Sequence, residues 1–230
     1  MNNQRQPPSG ASSTPVTQRL SDAEVNHLTQ QVQSNDFSGI RQYLARTRQA
    51  RDWQDRFFIL NLIVPFIQVD ALLDASASEP DAADLLFLLG AYYFYMIGQS
   101  RGTKVAEQTS GGQFDDAHQQ IQRMMEYLLR VYRLDSDDPT PHVYAVRGLV
   151  VFSQYESTLK QEYAEAARLA PDFVPAHFAM VSARGKKWGG SHGESLHIAR
   201  AAVKAGRPGT DASACLFLAH FLVWQYSRAC

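Results

Sequence analysis

Apolar residues recur at helical spacing along most of this chain, and nowhere do they alternate with polar ones over a useful length. Phe114, Ala117, Ile121, Met124, Leu128 and Val131 trace one helical face. Asp115 and Asp116 stand at its start and Arg130 and Arg133 at its end, each on the favourable side of the helix dipole. Leu159, Tyr163, Ala166 and Leu169 predict the inward face of another helix. The run from Leu85 to Ile97 has no polar stripe, which predicts a helix buried on every side at the centre of the fold. Between Trp53 and Leu73 a long apolar segment is interrupted by Pro65. Proline removes a helical hydrogen bond and clashes one turn back, so the segment reads as two helices or one sharply kinked.

Punctuation residues place the remaining boundaries. Ser21–Glu24, Ser153–Glu156 and Ser191–Glu194 each read as a capping box, in which a hydroxyl and a carboxylate satisfy the first free amides. Asp36 reads as the cap of a helix with Ile40, Tyr43 and Leu44 inside. Pro80 suits the first turn of the central helix, with Asp81 and Asp84 against its positive end. Gly98 to Gly102 ends that helix and a polar loop follows through Gly112. Further helices are expected over about 141–152, 175–184, from Ser191 to Gly206, and from Asp211 onward. The fold class is all-α.

A constant offset of 35 residues links two stretches: Arg133-Leu134 answers Arg168-Leu169, and His142 answers His177. A weaker third copy runs through Val203, Gly206, Pro208 and Gly209 to the apolar run from Ala212. A helical hairpin repeating every ~34 residues is the pattern of tetratricopeptide-like arrays. One such unit cannot bury its apolar face alone, so the expected architecture is stacked helical hairpins, an α-α superhelix. By this register Leu134 and Leu169 are equivalent core positions. Residues 1–19 are rich in Gln, Pro and Ser with almost nothing apolar, and read as a disordered tail. Residues 20–230 read as a single domain, with repeat-like units most evident over 114–228.

Composition narrows the partners. Twenty-two basic against 23 acidic side chains give a net charge of -1, which argues against nucleic acid or anionic lipid as a whole-surface partner. The two cysteines, Cys215 and Cys230, form no disulfide framework and suit a reducing, cytoplasmic setting. The first 20 residues lack the apolar core of a signal peptide, and the longest apolar run is too short to span a bilayer.

Three segments carry a resemblance. They are Leu134-Asp-Ser-Asp-Asp-Pro-Thr-Pro141, Ala170-Pro-Asp-Phe-Val-Pro-Ala-His177 and, most distinctive, Lys187-Trp-Gly-Gly-Ser-His192 followed by Glu194, with Gly98–Gly102 and Ala219-His220 in support. From about Asp81 to His220 the chain resembles an uncharacterised family of bacterial tetratricopeptide-like helical proteins, a domain of unknown function. Gly193 departs from the second acidic residue expected before Glu194. The resemblance implies a helical-repeat fold and no catalytic residues.

The segment from Arg184 to Glu194 is the best local candidate for chemistry. Gly189 and Gly190 let backbone approach a ligand, Ser191 opens a helix whose amides attract anions, and Lys187 adds charge. With Arg101, Trp188, His192 and Glu194 these make a candidate ligand site. The spacing Gly185-x4-Gly190 echoes a phosphate loop, but Ser191 and His192 replace the required Lys and Ser/Thr and no strand precedes it. The structural account is preferred: Trp188 anchors helices, the glycines turn the chain, and Ser191 and Glu194 cap. Asp84 and Arg101 are considered as an ion pair or a hold on a substrate carboxylate, but an ordinary polar helix end, with Arg favourable near a helix C-terminus, is the preferred reading. His142 and His177 read as packing or hydrogen-bonding residues beside turns, because no spacing matches a metal set. Tyr92 to Tyr95 point to different sides of one helix and read as core, and Cys215 as an inert buried thiol. No catalytic residue, cofactor or metal ligand is assigned. The expected function is a non-catalytic protein- or peptide-binding or scaffold module. The alternative is a small anionic ligand, or an enzymatic role, at Arg184–Glu194.

Overall fold

The computed structural model describes residues 20–102, 110–207 and 210–229. The 1–19 tail, residues 103–109 of the polar loop, Pro208-Gly209 of the third repeat and Cys230 lie outside the described residues. Among those described, every regular element is helical. In chain order they are α1 (Asp22–Gln33), α2 (Ser38–Ala50), α3 (Trp53–Ile63), α4 (Val69–Ser78), α5 (Ala83–Arg101) and α6 (Gly111–Leu134). Then come α7 (Thr140–Leu149), α8 (Glu156–Leu169), α9 (Val174–Ala183), α10 (His192–Ala205) and α11 (Ala214–Ala229).

The local signals act largely as their chemistry dictates. Ser21 and Glu24 form a full capping box at the start of α1. Asp36 Oδ1 accepts from the Ser38 amide at 2.9 Å, which opens α2. At Pro65 the chain leaves the helix through a 3-10 turn, Val64–Phe66, and the α3 and α4 axes differ by 118°. No single described helix is long and apolar enough to cross a membrane. Gly206 ends α10.

α5 is the central helix, with Leu85 through Ala91 buried without a gap. It lies along α6, whose buried stripe is Ala117, Ile121, Met124, Leu128 and Val131. A Cβ on Gly90 would stand 2.6 Å from Leu128 Cδ2, so any larger residue would push that buried side chain aside where α5 approaches α6. From α7 onward each helix packs on its sequence neighbour, and α7, α9 and α11 also meet in series, α7 on α9 and α9 on α11. A smaller apolar cluster, Val174, Val181, Ala199, Ala202, Cys215 and Ala219, joins α9, α10 and α11. Ion pairs tie the N-terminal helices to the rest: Arg41 with Glu79 and Asp84, Arg48 with Asp135, and Arg56 with Asp138.

Several expectations need correcting. Leu134 is 43% exposed and Leu169 only partly buried. A helix advances about 100° per residue, which puts the two leucines about 100° and about 70° off their buried stripes. The stripe centre falls instead on the next residue, Asp135 in one unit and Ala170 in the other, and both are buried. The Ser153 box does not form, because residues Ser153–Tyr155 make a 3-10 turn and α8 has no side-chain cap. The Glu156 carboxylate is drawn instead to Arg184 at 2.7 Å and Lys160 at 2.9 Å. Pro80 lies before α5, which begins at Ala83; its carbonyl accepts from Arg130 at 2.7 Å. α6 starts earlier than its apolar stripe, at a capping box of Ser110 and Gln113.

Candidate functional site

Beyond Arg184 the chain turns through Gly185 into a 3-10 turn, Lys186–Trp188, and then back on itself. Gly189 adopts φ 83°, in the left-handed region that favours glycine. A Cβ on Gly190 would lie 2.2 Å from the Arg184 carbonyl oxygen, so the loop closes tightly on the end of α9. Ser191 Oγ accepts from the Glu194 amide at 3.2 Å and donates to Glu194 Oε2 at 2.8 Å. The start of α10 is thus capped by its own side chains.

This turn sets the Trp188 ring 4.7 Å from the guanidinium of Arg101, with Lys187 Nζ 5.2 Å from the same ring. Arg101 is buried at the end of α5, its Nε has no partner among the described residues, and burial lowers its pKa. Arg184 spends Nη1 on Glu156, and its buried Nη2 has no partner among the described residues. A cavity of about 450 Å³ opens here, lined by Arg101, Glu156, Arg184, Lys187, Trp188 and Glu194 among others. Gly189 and Gly190 also border it. Ser191 and His192 do not, since Ser191 serves as the cap and His192 packs edge-on against Tyr226 at 5.9 Å. Asp84 and Arg101 sit at opposite ends of α5, and Asp84 pairs with Arg41 at 2.6 Å, so they form no pair.

Both repeat histidines are hydrogen-bonded beside their turns. His142 stacks on Tyr132 at 4.2 Å and places Nδ1 2.6 Å from Glu162 Oε2, which also accepts from the Tyr132 hydroxyl. His177 Nε2 lies 2.8 Å from the Pro171 carbonyl, a pure acceptor, so Nε2 carries the proton and Nδ1 accepts from the Tyr163 hydroxyl at 3.1 Å. No three His, Cys, Asp or Glu residues among those described gather as a metal site. Burial pushes the Cys215 thiol up to about 11, which leaves it protonated at neutral pH. Tyr93 is buried and stacks on Tyr127 at 5.6 Å, and Phe94 packs edge-on to Tyr144.

A feature that the sequence reading missed is a second cavity, which also borders Trp188. It holds about 640 Å³, and α3, α5, α7, α9 and α11 all contribute to its walls. Those walls are mainly apolar: Phe57, Phe94, Val150, Val174, Phe178 and Leu218. Arg147 of α7 is the charged exception. Its guanidinium lies 4.5 Å from the Phe94 ring centre and 5.3 Å from that of Phe57, and Nη1 donates to Asn61 Oδ1 at 2.9 Å. Burial lowers its pKa. The signal available in the sequence was a single charge within the otherwise apolar helix Thr140–Leu149. No protein-family model, curated protein or solved structure matches the chain, so its function must be read from these two cavities and the helices that frame them.

Proposed function

We propose that this chain is a non-catalytic, tetratricopeptide-like binding module that takes an apolar segment of a partner protein in the groove formed by α3, α5, α7, α9 and α11. One observation carries the reading: a 640 Å³ apolar groove whose walls come from five helices, with a few polar groups at defined places. That size and make-up fall within the range of specific binding clefts. The repeat reading is part of the proposal. The 35-residue register pairs α6 with α7, α8 with α9 and α10 with α11, and the serial contacts of α7, α9 and α11 are those a superhelix needs. The resemblance of the Lys187–His192 segment to a bacterial family of such proteins is proposed on the same footing. So is a cytoplasmic setting, which suits the free thiol of Cys215.

The alternative, a small anion in the cavity beside Arg101 and Lys187, draws support from the unpartnered nitrogens of Arg101 and Arg184. Against it, the carboxylates of Glu156 and Glu194 line the same cavity. They would repel the ligand that the cations attract, so the groove is the stronger candidate.

The test is selection from a random peptide library on the immobilised protein, in parallel with Phe178→Asp. Phe178 is partly exposed and lines the groove, so the substitution puts a charge on its wall. Wild type should enrich an apolar consensus that the variant does not. Equal enrichment by both proteins, or none by wild type, would overturn the reading.

A further inference from the structure

We infer that the cavity beside Arg101 and Arg184 binds a free α-amino acid with an apolar side chain, held by both of its charges. The cavity neighbours the five-helix groove, with Trp188 bordering both, and adds a small-molecule site to the binding module proposed above.

Two buried cations set the first requirement. A guanidinium drawn out of water is costly unless acceptors meet its N–H groups. Arg56 shows the usual solution, with Asp138 and the Leu44 carbonyl as its acceptors. Arg101 departs from it: the residue is 8% exposed, and its Nε has no partner among the described residues. The Trp188 ring lies 4.7 Å from the guanidinium, which holds the charge through a ring face but offers no acceptor in the plane of its N–H groups. Arg184, whose side chain is 13% exposed, gives Nη1 to Glu156 and leaves Nη2 without a partner among the described residues. Both residues line the same cavity of about 450 Å³. Open guanidinium donors fixed in place are what a carboxylate accepts from best.

The acidic residues select what else the ligand carries. Glu156 and Glu194 line this cavity too, so a bare anion is opposed where a molecule that also bears a cation is not. Glu194 is exposed and spends Oε2 on the Ser191 hydroxyl, which leaves Oε1 to accept from an ammonium group. Because the cations are buried and Glu194 is exposed, the carboxylate of the ligand goes inward and its ammonium lies towards solvent. Phe114, Phe152 and Leu159 supply an apolar wall for a hydrocarbon side chain. The volume falls in the lower part of the ~300–1,000 Å³ range of small-molecule pockets. A residue inside a peptide carries neither charge and a chain end carries one, whereas a free amino acid puts both on a single Cα beside its side chain.

The experiment uses the full chain and the common L-amino acids at millimolar concentration, read first as melting temperature and then by isothermal titration calorimetry. L-Leucine, L-phenylalanine or another apolar member should raise the melting temperature. Its amide, which lacks the carboxylate, and its N-acetyl derivative, which lacks the ammonium, should each bind roughly 10- to 100-fold more weakly, as expected for hydrogen bonds between charged groups. Arg101→Gln should bring the amino acid down to the level of its amide. Glu194→Gln should weaken the amino acid and leave the N-acetyl derivative unchanged. Phe178→Asp, on the wall of the groove, should alter none of these affinities. Binding of the N-acetyl derivative or of inorganic phosphate as tight as that of the amino acid would overturn the inference in favour of a plain anion site. A shift with polar amino acids alone, or with none, would also overturn it, and the groove would keep its own test in the peptide library. So would binding that Phe178→Asp abolishes and Glu194→Gln leaves intact, which would place the ligand in the groove. The comparison of amino acid, amide and N-acetyl forms on the unmodified protein stays decisive even if Arg101→Gln does not fold.

Discussion

Asp138→Asn is the sharpest test of how the two halves of the fold are joined. Asp138 Oδ2 accepts from Arg56 Nε at 2.7 Å, and the two side chains are 0% and 4% exposed. The other carboxylate oxygen accepts from the Thr140 amide at 2.8 Å, which opens α7. Arg56 also donates Nη1 to the Leu44 carbonyl at 2.6 Å and lies 5.2 Å from the Phe87 ring centre. One bridge therefore ties α2, α3 and α5 to the start of α7 across 82 residues of sequence. The amide of Asn keeps the shape and can still accept from Thr140, so the substitution removes the charge and little else. It leaves the Arg56 guanidinium buried with a backbone carbonyl and an aromatic face. Removing one partner of a buried pair costs about 3–5 kcal/mol. Urea denaturation followed by circular dichroism should show that loss as a lower midpoint with an unchanged slope. Arg56→Met should cost a similar amount, and the double variant should fall short of the sum by about 0.5–3 kcal/mol. A loss under 1 kcal/mol for Asp138→Asn, or strict additivity of the pair, would refute the reasoning.

Two further expectations follow from burial. Leu159 is 3% exposed and Leu134 43%, so Leu159→Ala should cost about 2–5 kcal/mol while Leu134→Ala stays within about 0.5 kcal/mol; a costly Leu134→Ala would restore that residue to the core. Burial holds His177 below the usual imidazole value of 6.5, with the Pro171 carbonyl opposing the shift, so the folded chain binds this proton less readily than the unfolded one. Its contribution is complete above pH ~6.5 and is lost as the pH falls from there towards the folded-state value. His177→Gln should flatten that part of the stability profile, measured as urea midpoints from pH 5 to 8; an unchanged slope would exclude His177 as its source.

Most of the helices were legible because their causes are local. The break at Pro65, the box at Ser21 and the stop at Gly206 depend on residues within a turn or two of one another. The burial of Leu85–Ala91 could be read from the missing polar stripe alone. Even the exposure of Leu134 was available from helical angles, since the stripe that starts at Ala117 returns to Asp135. The Ser153–Glu156 pattern misled because the same carboxylate had a stronger claimant in Arg184, a partner from the end of another helix.

The sequence by itself determined the all-helical class, the order of the elements and the central place of α5, because spacing, caps and breakers act over a few residues. Tertiary structure decided which charges are answered. Arg56 finds Asp138 across 82 residues, and Arg147 meets Asn61 across 86 and no carboxylate among the described residues. Whether a charge in an apolar helix is neutralised, or left to face a groove, depends on which distant helices are stacked beside it. That is set by the packing of the whole chain, which no local pattern records.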